Sequence, residues 1–228
     1  APTVEQALHE VLASPLLPDD RAKLRLIEDA SRMNELEFYF PVASPTDRTV
    51  PRGAQLSLTF AESMASAVSP LSPRELARPF AHHPSDELDP GYAERVAKLD
   101  FVPLEGFLKG YIDLVFQRGK RFYVVDYKSN HLGDHRADYR PEALQAAMSQ
   151  GHYYLQAHLY AVAVHRFLGR RLPGYRYDRH FGGILYLFIK GMHPDAPGGG
   201  VFFERPPVRR IQDLSDLLEM PPARGGAS

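Results

Sequence analysis

Gly106-Phe107-Leu108-Lys109-Gly110-Tyr111-Ile112-Asp113-Leu114-Val115-Phe116, then Gln117-Arg118-Gly119-Lys120, then Arg121-Phe122-Tyr123-Val124-Val125-Asp126-Tyr127-Lys128-Ser129-Asn130, is the stretch on which the fold turns. Two runs rich in β-branched and aromatic residues flank a short polar segment, the pattern of an antiparallel hairpin. Inside those runs stand Asp113, Asp126 and Lys128, and a charge buried there without a partner costs several kcal/mol or shifts its pKa until it is neutral. Side chains alternate along a strand, so Asp126 and Lys128 share a face, about 7 Å apart. A two-residue loop at Arg118-Gly119, or a four-residue loop from Gln117 to Lys120, pairs Asp113 with Val124 and brings the three charges together. A three-residue loop would send Asp113 to the opposite face.

Two carboxylates converging on one site repel each other unless a cation sits between them. Hard oxygen donors of this kind suit Mg²⁺ or Mn²⁺, and such an ion lowers the pKa of a bound water and neutralises a phosphate. A neighbouring lysine positions or deprotonates that water and stabilises developing negative charge. Acid, then acid-x-lysine on the next strand, therefore describes a site for phosphodiester hydrolysis. Pattern alone leaves another reading open, in which both aspartates face solvent and Lys128 merely ends its strand, because D-x-K is a short and common string.

The rest of the chain is read outward from the hairpin. Residues 3–13 place Val4, Leu8 and Val11/Leu12 at helical spacing behind a capping Thr3. A second helix is expected from Asp20 to Met33, with Leu24, Ile27 and Ala30 on one face, and a strand from Glu35 to Val42. Seven prolines between residues 43 and 100 limit that region to short helices, at 54–67, 73–80 and 90–98. Beyond the hairpin, Pro141 opens a long helical pattern from Glu142 to Phe167 with Gly151 as a joint, and Gln156 and Tyr160 stand at i and i+4 on one face. Phe181–Ile189 is a nearly continuous apolar run suited to a strand covered on both faces. Val201–Phe203 is a short strand, a last helix carries Ile211, Leu214 and Leu217/Leu218, and residues 221–228 form a polar, mobile tail. This order suggests an α/β sandwich around a mixed central sheet.

Composition sets limits. At 228 residues with 44% apolar and 24% charged residues, the chain is sized for one domain, taken as residues 1–220. A net charge of −1 supplies no global pull toward nucleic acid, so any basic surface is local. The absence of cysteine excludes disulfides, thiolate metal sites and cysteine nucleophiles, and fits a reducing compartment, here the cytoplasm. No apolar run approaches the roughly 18 residues of a membrane span, and the start is not a signal peptide. Because the first residue is Ala1, the chain is expected to be part of a longer protein. His9, followed by Glu10, reads as a surface helix position because no second ligand stands at i+4, and His82-His83 as a loop because adjacent residues do not converge easily on one ion.

The run from Gly106 to Gly133 closely resembles RecB-type nuclease domains of the exodeoxyribonuclease V (RecBCD) helicase–nucleases, within the PD-(D/E)xK superfamily. The resemblance continues through Glu35–Pro41, Gln150–Tyr160 and His180–Phe188, and it implies a restriction-endonuclease-like α/β core with a central mixed sheet flanked by helices. It further implies that Asp113 and Asp126 bind metal, with Asp126 also catalytic, that Lys128 is the catalytic lysine, and that the main-chain carbonyl of Tyr127 is a further ligand. Gln156 and Tyr160 resemble the family's Q-x-x-x-Y motif, which contacts or orients DNA. The implied cofactor is Mg²⁺ or Mn²⁺. The implied partners are single-stranded DNA, RecC- and RecD-like subunits, and RecA, in double-strand-break processing and recombinational repair. A catalytically silent module docking those proteins is the alternative. No Walker A loop occurs in the chain. Lys109, Arg170, Arg171, Arg176, Arg179 and the Arg205/Arg209/Arg210 cluster are candidate DNA contacts. One departure stands out: the family's upstream histidine ligand, on a G-x-x-x-H helix, has no counterpart here, so the fourth metal-binding group is expected to lie outside this chain.

Overall fold

The computed structural model describes residues 3–17, 20–42, 72–100 and 106–218. Seven strands and seven helices are assigned among them. In chain order they are α1 (Val4–Ala13), β1 (Pro15–Leu17), β2 (Asp20–Lys23), β3 (Arg32–Val42), α2 (Pro73–His82), α3 (Tyr92–Ala97), β4 (Gly106–Arg118) and β5 (Arg121–Lys128), followed by α4 (Pro141–Gln150), α5 (Tyr153–Arg171), α6 (Tyr177–His180), β6 (Phe181–Phe188), β7 (Val201–Glu204) and α7 (Val208–Leu217). The expected helix at 54–67 and the tail at 221–228 lie outside the described residues. No helix among the described residues is long and apolar enough to cross a membrane.

The main sheet has the order β3-β4-β5-β6-β7 and is mixed, as expected. β4 and β5 are antiparallel, β5 and β6 parallel, and β6 and β7 antiparallel. A parallel pair cannot be joined by a tight turn; here α4 and α5 fill the connection between β5 and β6. The long helical pattern breaks where expected, because His152 adopts a left-handed φ of 52° between the two helices. Pro141 occupies the first turn of α4, where its missing N–H costs nothing.

The chain forms two compact units. One comprises residues 1–36, 85–89 and 112–206. Its core on one sheet face joins Leu114, Phe116, Tyr123, Val125, Leu185 and Leu187 with Leu16, Ala22, Leu24 and Met192. Every residue of β6 is buried, which explains its unbroken apolar run. Fully buried Glu204 accepts from Ser85 at 3.0 Å and lies 3.8 Å from His158, which fixes the 85–89 segment against β7 and α5.

The other unit comprises residues 37–84, 90–111 and 207–228. Within it α2 packs on both α3 and α7. A capping box between Ser72 and Glu75 starts α2. The guanidinium of Arg210 is completely buried, donating to the His83 carbonyl and facing the Phe80 ring, and His83 pairs with Asp213 at 2.8 Å.

One expectation needs correction. Residues 20–33 do not form a helix: β2 pairs with β1, and two short 3₁₀ turns lead into β3. Leu16, Ala22 and Leu24 are buried in the core of the sheet face, whereas Ala30 is exposed. The helix expected at residues 3–13 is present as α1: Thr3 caps it, accepting from Gln6 N at 3.2 Å, and Val4, Leu8 and Leu12 on it are exposed.

Candidate active site

The hairpin closes one step later than either of the two simple loops considered. Arg118 pairs with Arg121, leaving Gly119-Lys120 as a two-residue turn, and Gly119 takes a φ of +58°. A glycine with positive φ at the first central position is what a type II′ hairpin turn needs. The register therefore differs by two residues from the pairing of Asp113 with Val124. Leu114 lies opposite Val125, and one further step along the ladder sets Asp113 level with Asp126. Since side chains repeat every two residues, this displacement leaves the three charges on one face. That face looks toward α5, opposite the Leu114/Phe116/Val125 core.

Asp113 reaches across the hairpin and accepts from the Tyr127 N–H at 2.8 Å. The carboxylate thus takes a backbone donor that a regular ladder would have used, and this ties the middle of β4 to the end of β5. Asp126 is 4% exposed. Its Oδ2 lies 2.7 Å from Lys128 Nζ but receives no aimed hydrogen bond. Burial pushes the Asp126 carboxyl up to about 6, the Lys128 charge pulls it down, and the Asp113 carboxylate adds a further push upward.

Lys128 is boxed in on the other sides. Its ammonium donates to Gln156 Oε1 at 3.0 Å and lies over the Tyr153 ring, 4.1 Å from the centroid, and the Tyr186 ring, 5.0 Å away. Tyr186 also donates to Gln156 Oε1, at 3.0 Å, while Gln156 Nε2 donates to the Tyr160 hydroxyl at 2.8 Å. Burial first, and the Asp126 charge second, hold the Tyr160 hydroxyl well above its ordinary pKa, so it remains protonated at neutral pH. Gln156 is consequently a hub: both ends of its amide are used, and its orientation fixes where the lysine points.

The predicted residues Asp113, Asp126, Tyr127, Lys128, Gln156 and Tyr160 all fall within the unit that contains residues 112–206. Tyr153 and Tyr186 were not assigned roles from the sequence. Tyr153 precedes Gln156 by three residues and so shares its helix face, a signal that was readable. Tyr186 could be placed only once the parallel register set it beside Asp126. The candidate DNA contacts separate into groups. Arg210 is not one, being buried against His83. Lys109 is ion-paired with Glu37, whose carboxyl is held at about 2 by that lysine and by the Tyr39 and Tyr111 hydroxyls. Arg170, Arg171, Arg176, Arg179 and Arg209 are exposed.

Among the described residues no group of three or more His, Cys, Asp or Glu side chains gathers as a metal cage. The donor set is smaller, namely the Asp113 and Asp126 carboxylates, which suits a hard divalent cation that keeps several of its own waters. A buried carboxylate oxygen lacking an aimed donor fits the same ion.

Residues 7–219 match the PD-(D/E)XK nuclease superfamily. The chain belongs to this superfamily. Within it, the chain is 41% identical to the RecBCD enzyme subunit RecB of Mycobacterium tuberculosis H37Rv across 96% of its length, which is 20% of that protein. It is 31% identical to Escherichia coli K12 RecB across 95% of its length, 16% of that protein, and 47% identical to Haemophilus influenzae RecB across 53%, 10% of that protein. The chain thus spans a fifth or less of the length of these relatives and corresponds to a RecB-like PD-(D/E)XK nuclease domain. The mixed five-stranded sheet flanked by helices agrees with that superfamily's α/β fold. Nucleases of this superfamily use divalent metal ions.

Proposed function

We propose that this domain hydrolyses phosphodiester bonds of single-stranded DNA with Mg²⁺ or Mn²⁺. Asp113 and Asp126 would hold the ion, together with the Tyr127 carbonyl. When bound, the ion supplies charge neutralisation and an activated water. The chain's own residues do the rest: Lys128, held between Asp126 and Gln156, presents its ammonium to the charge that develops on the phosphate, and Tyr153 and Tyr186 keep its stem dry and fixed. Gln156 and Tyr160 orient the lysine and the DNA strand. The observation that carries this reading is the buried Asp126 carboxylate, pushed up to about 6 by burial although Lys128 lies 2.7 Å away. Its charge at neutral pH is held at a cost that a bound cation would relieve.

The relatives support a setting for this activity. We place the domain in a cytoplasmic RecB-like subunit, as a single nuclease domain over residues 1–220, working with RecC- and RecD-like subunits and with RecA as a further partner in break repair. The test joins calorimetry of Mg²⁺ and Mn²⁺ binding to a single-strand cleavage assay, on this chain and on one extended upstream to include a G-x-x-x-H helix. Metal-dependent cleavage that Asp126→Ala abolishes is the expected result. Absence of both metal binding and cleavage from the extended protein refutes the reading.

A further inference from the structure

The charge of the main-sheet unit is unevenly placed. Residues 117–122 and 165–180 carry eight Arg or Lys and one acidic residue, Asp178, in a chain whose net charge is −1. These two segments meet at one end of the sheet. Phe122 at the start of β5 pairs with Phe181 at the start of β6, directly after His180, and α6 packs on β5. The Tyr175 hydroxyl and His165 Nδ1 lie 2.9 Å apart, and Tyr175 stacks on His180, which holds the 172–180 connection against the end of α5. The acidic pair Asp113/Asp126 lies at the other end of β5.

Arg170 and Arg171 alone would do no more than balance the negative end of the α5 dipole. The surplus exceeds that need. Arg176 is matched by Asp178, whereas Lys120, Arg121, Arg170 and Arg179 are exposed and in no ion pair among the described residues. Arg171 rests on the Phe167 ring, 4.7 Å from its centroid, so its guanidinium is held in place. Between the end of α5 and Tyr175 lies a cleft of about 340 Å³ lined by Arg170, Arg171 and Tyr175, within the size range of ligand pockets. Arginine rather than lysine dominates, and its planar fork matches phosphate oxygens in pairs.

We propose that this basic pole is a second anion site, which holds the phosphate backbone of the strand being cut, several nucleotides away from the scissile bond. The identity of the ligand rests on the nuclease reading; the site itself does not. From Gln156 to Arg170 runs 14 residues of one helix, about 21 Å at 1.5 Å per residue. A stacked strand advances about 3.4 Å per nucleotide, so the two sites are about six nucleotides apart. Oligonucleotides shorter than that reach one site only.

The test is fluorescence anisotropy of the 228-residue chain in EDTA with labelled oligothymidylates of about four and about twelve nucleotides, titrated with salt. Wild type binds the longer strand more tightly and with a steeper salt dependence. Each phosphate contact contributes about 0.7 to the slope for single strands, so the Arg170→Gln/Arg171→Gln pair lowers the long-strand slope by about 1.4 and weakens short-strand binding too, since without metal the acidic site holds no phosphate. Lys120→Gln/Arg121→Gln, on a different element, shifts the slope in the same direction, and unchanged thermal melting of either double variant shows that folding is not the cause. Wild-type slopes in both double variants overturn the proposal. So does selective loss of polyglutamate binding with oligonucleotide binding retained, which would make the pole a protein-docking surface. Length-dependent binding by this chain, with neither metal binding nor cleavage by the upstream-extended protein, would remove the nuclease reading and leave the anion site standing.

Discussion

Replacing Asp126 by Asn should stabilise the metal-free domain while destroying its activity. The carboxyl is 4% exposed and is raised from its ordinary 3.8 to about 6, chiefly by burial. Between those two pH values the folded protein holds a proton that the unfolded chain has released. Stability therefore falls as pH rises through that window and stays lower above it. The gap is equivalent to about 3 kcal/mol at 1.36 kcal/mol per pKa unit. Asn keeps the shape without the charge, and Gln156 Oε1 remains as an acceptor for Lys128. The variant should then melt higher than wild type at pH 7.5 by up to about 6–12 °C, taking 2–4 °C per kcal/mol for a chain of this size. The difference should shrink toward zero near pH 4. Added Mg²⁺ should raise the melting point of wild type alone, by the mass-action term that binding contributes. Differential scanning fluorimetry from pH 4 to 8, with and without Mg²⁺, reads all of this. An Asn variant that melts at or below wild type at pH 7.5, with no pH trend, refutes the account of Asp126 as an ionised group under strain.

Two further substitutions separate positioning from scaffold. Gln156→Leu removes the acceptor shared by Lys128 and Tyr186. It should lower kcat about 10–100-fold, in the range of an outer-shell partner of a metal site, with a smaller rise in KM for DNA; a change confined to KM would argue that Gln156 acts on the DNA strand and not on the lysine. Arg210→Met removes a buried guanidinium and leaves the His83 carbonyl without its donor. It should cost about 2–3 kcal/mol, measured by urea denaturation, and leave the salt dependence of DNA binding unaltered.

Much of this site could be read from the chain because its elements obey short-range rules. Asp126 and Lys128 share a face by alternation, Gln156 and Tyr160 by helical spacing, and Pro141 opens α4 with the fixed φ that a first helical turn accepts. What could not be read depends on pairing at a distance. The parallel match of Asp126 with Tyr186 crosses two helices and has no local signature. Residues 20–33 misled because Leu24, Ile27 and Ala30 fit a helix stripe, while the burial that decides their form comes from β4, β5 and β6. Arg210 looked like a surface cation because sequence carries charge but not enclosure.

The two-residue offset in the hairpin has a consequence for how such a domain can vary. Parity, not length, decides whether the aspartates and the lysine meet. A tip that gains or loses residues in pairs slides the partner strand yet keeps every functional side chain on its side of the sheet. A single inserted residue turns β5 over, presenting Val125 and Tyr127 to α5 and driving Asp126 and Lys128 into the oily layer beneath. Among related chains, variation in this loop should therefore come in even steps, with odd changes absorbed by a bulge before the sheet reaches Asp126.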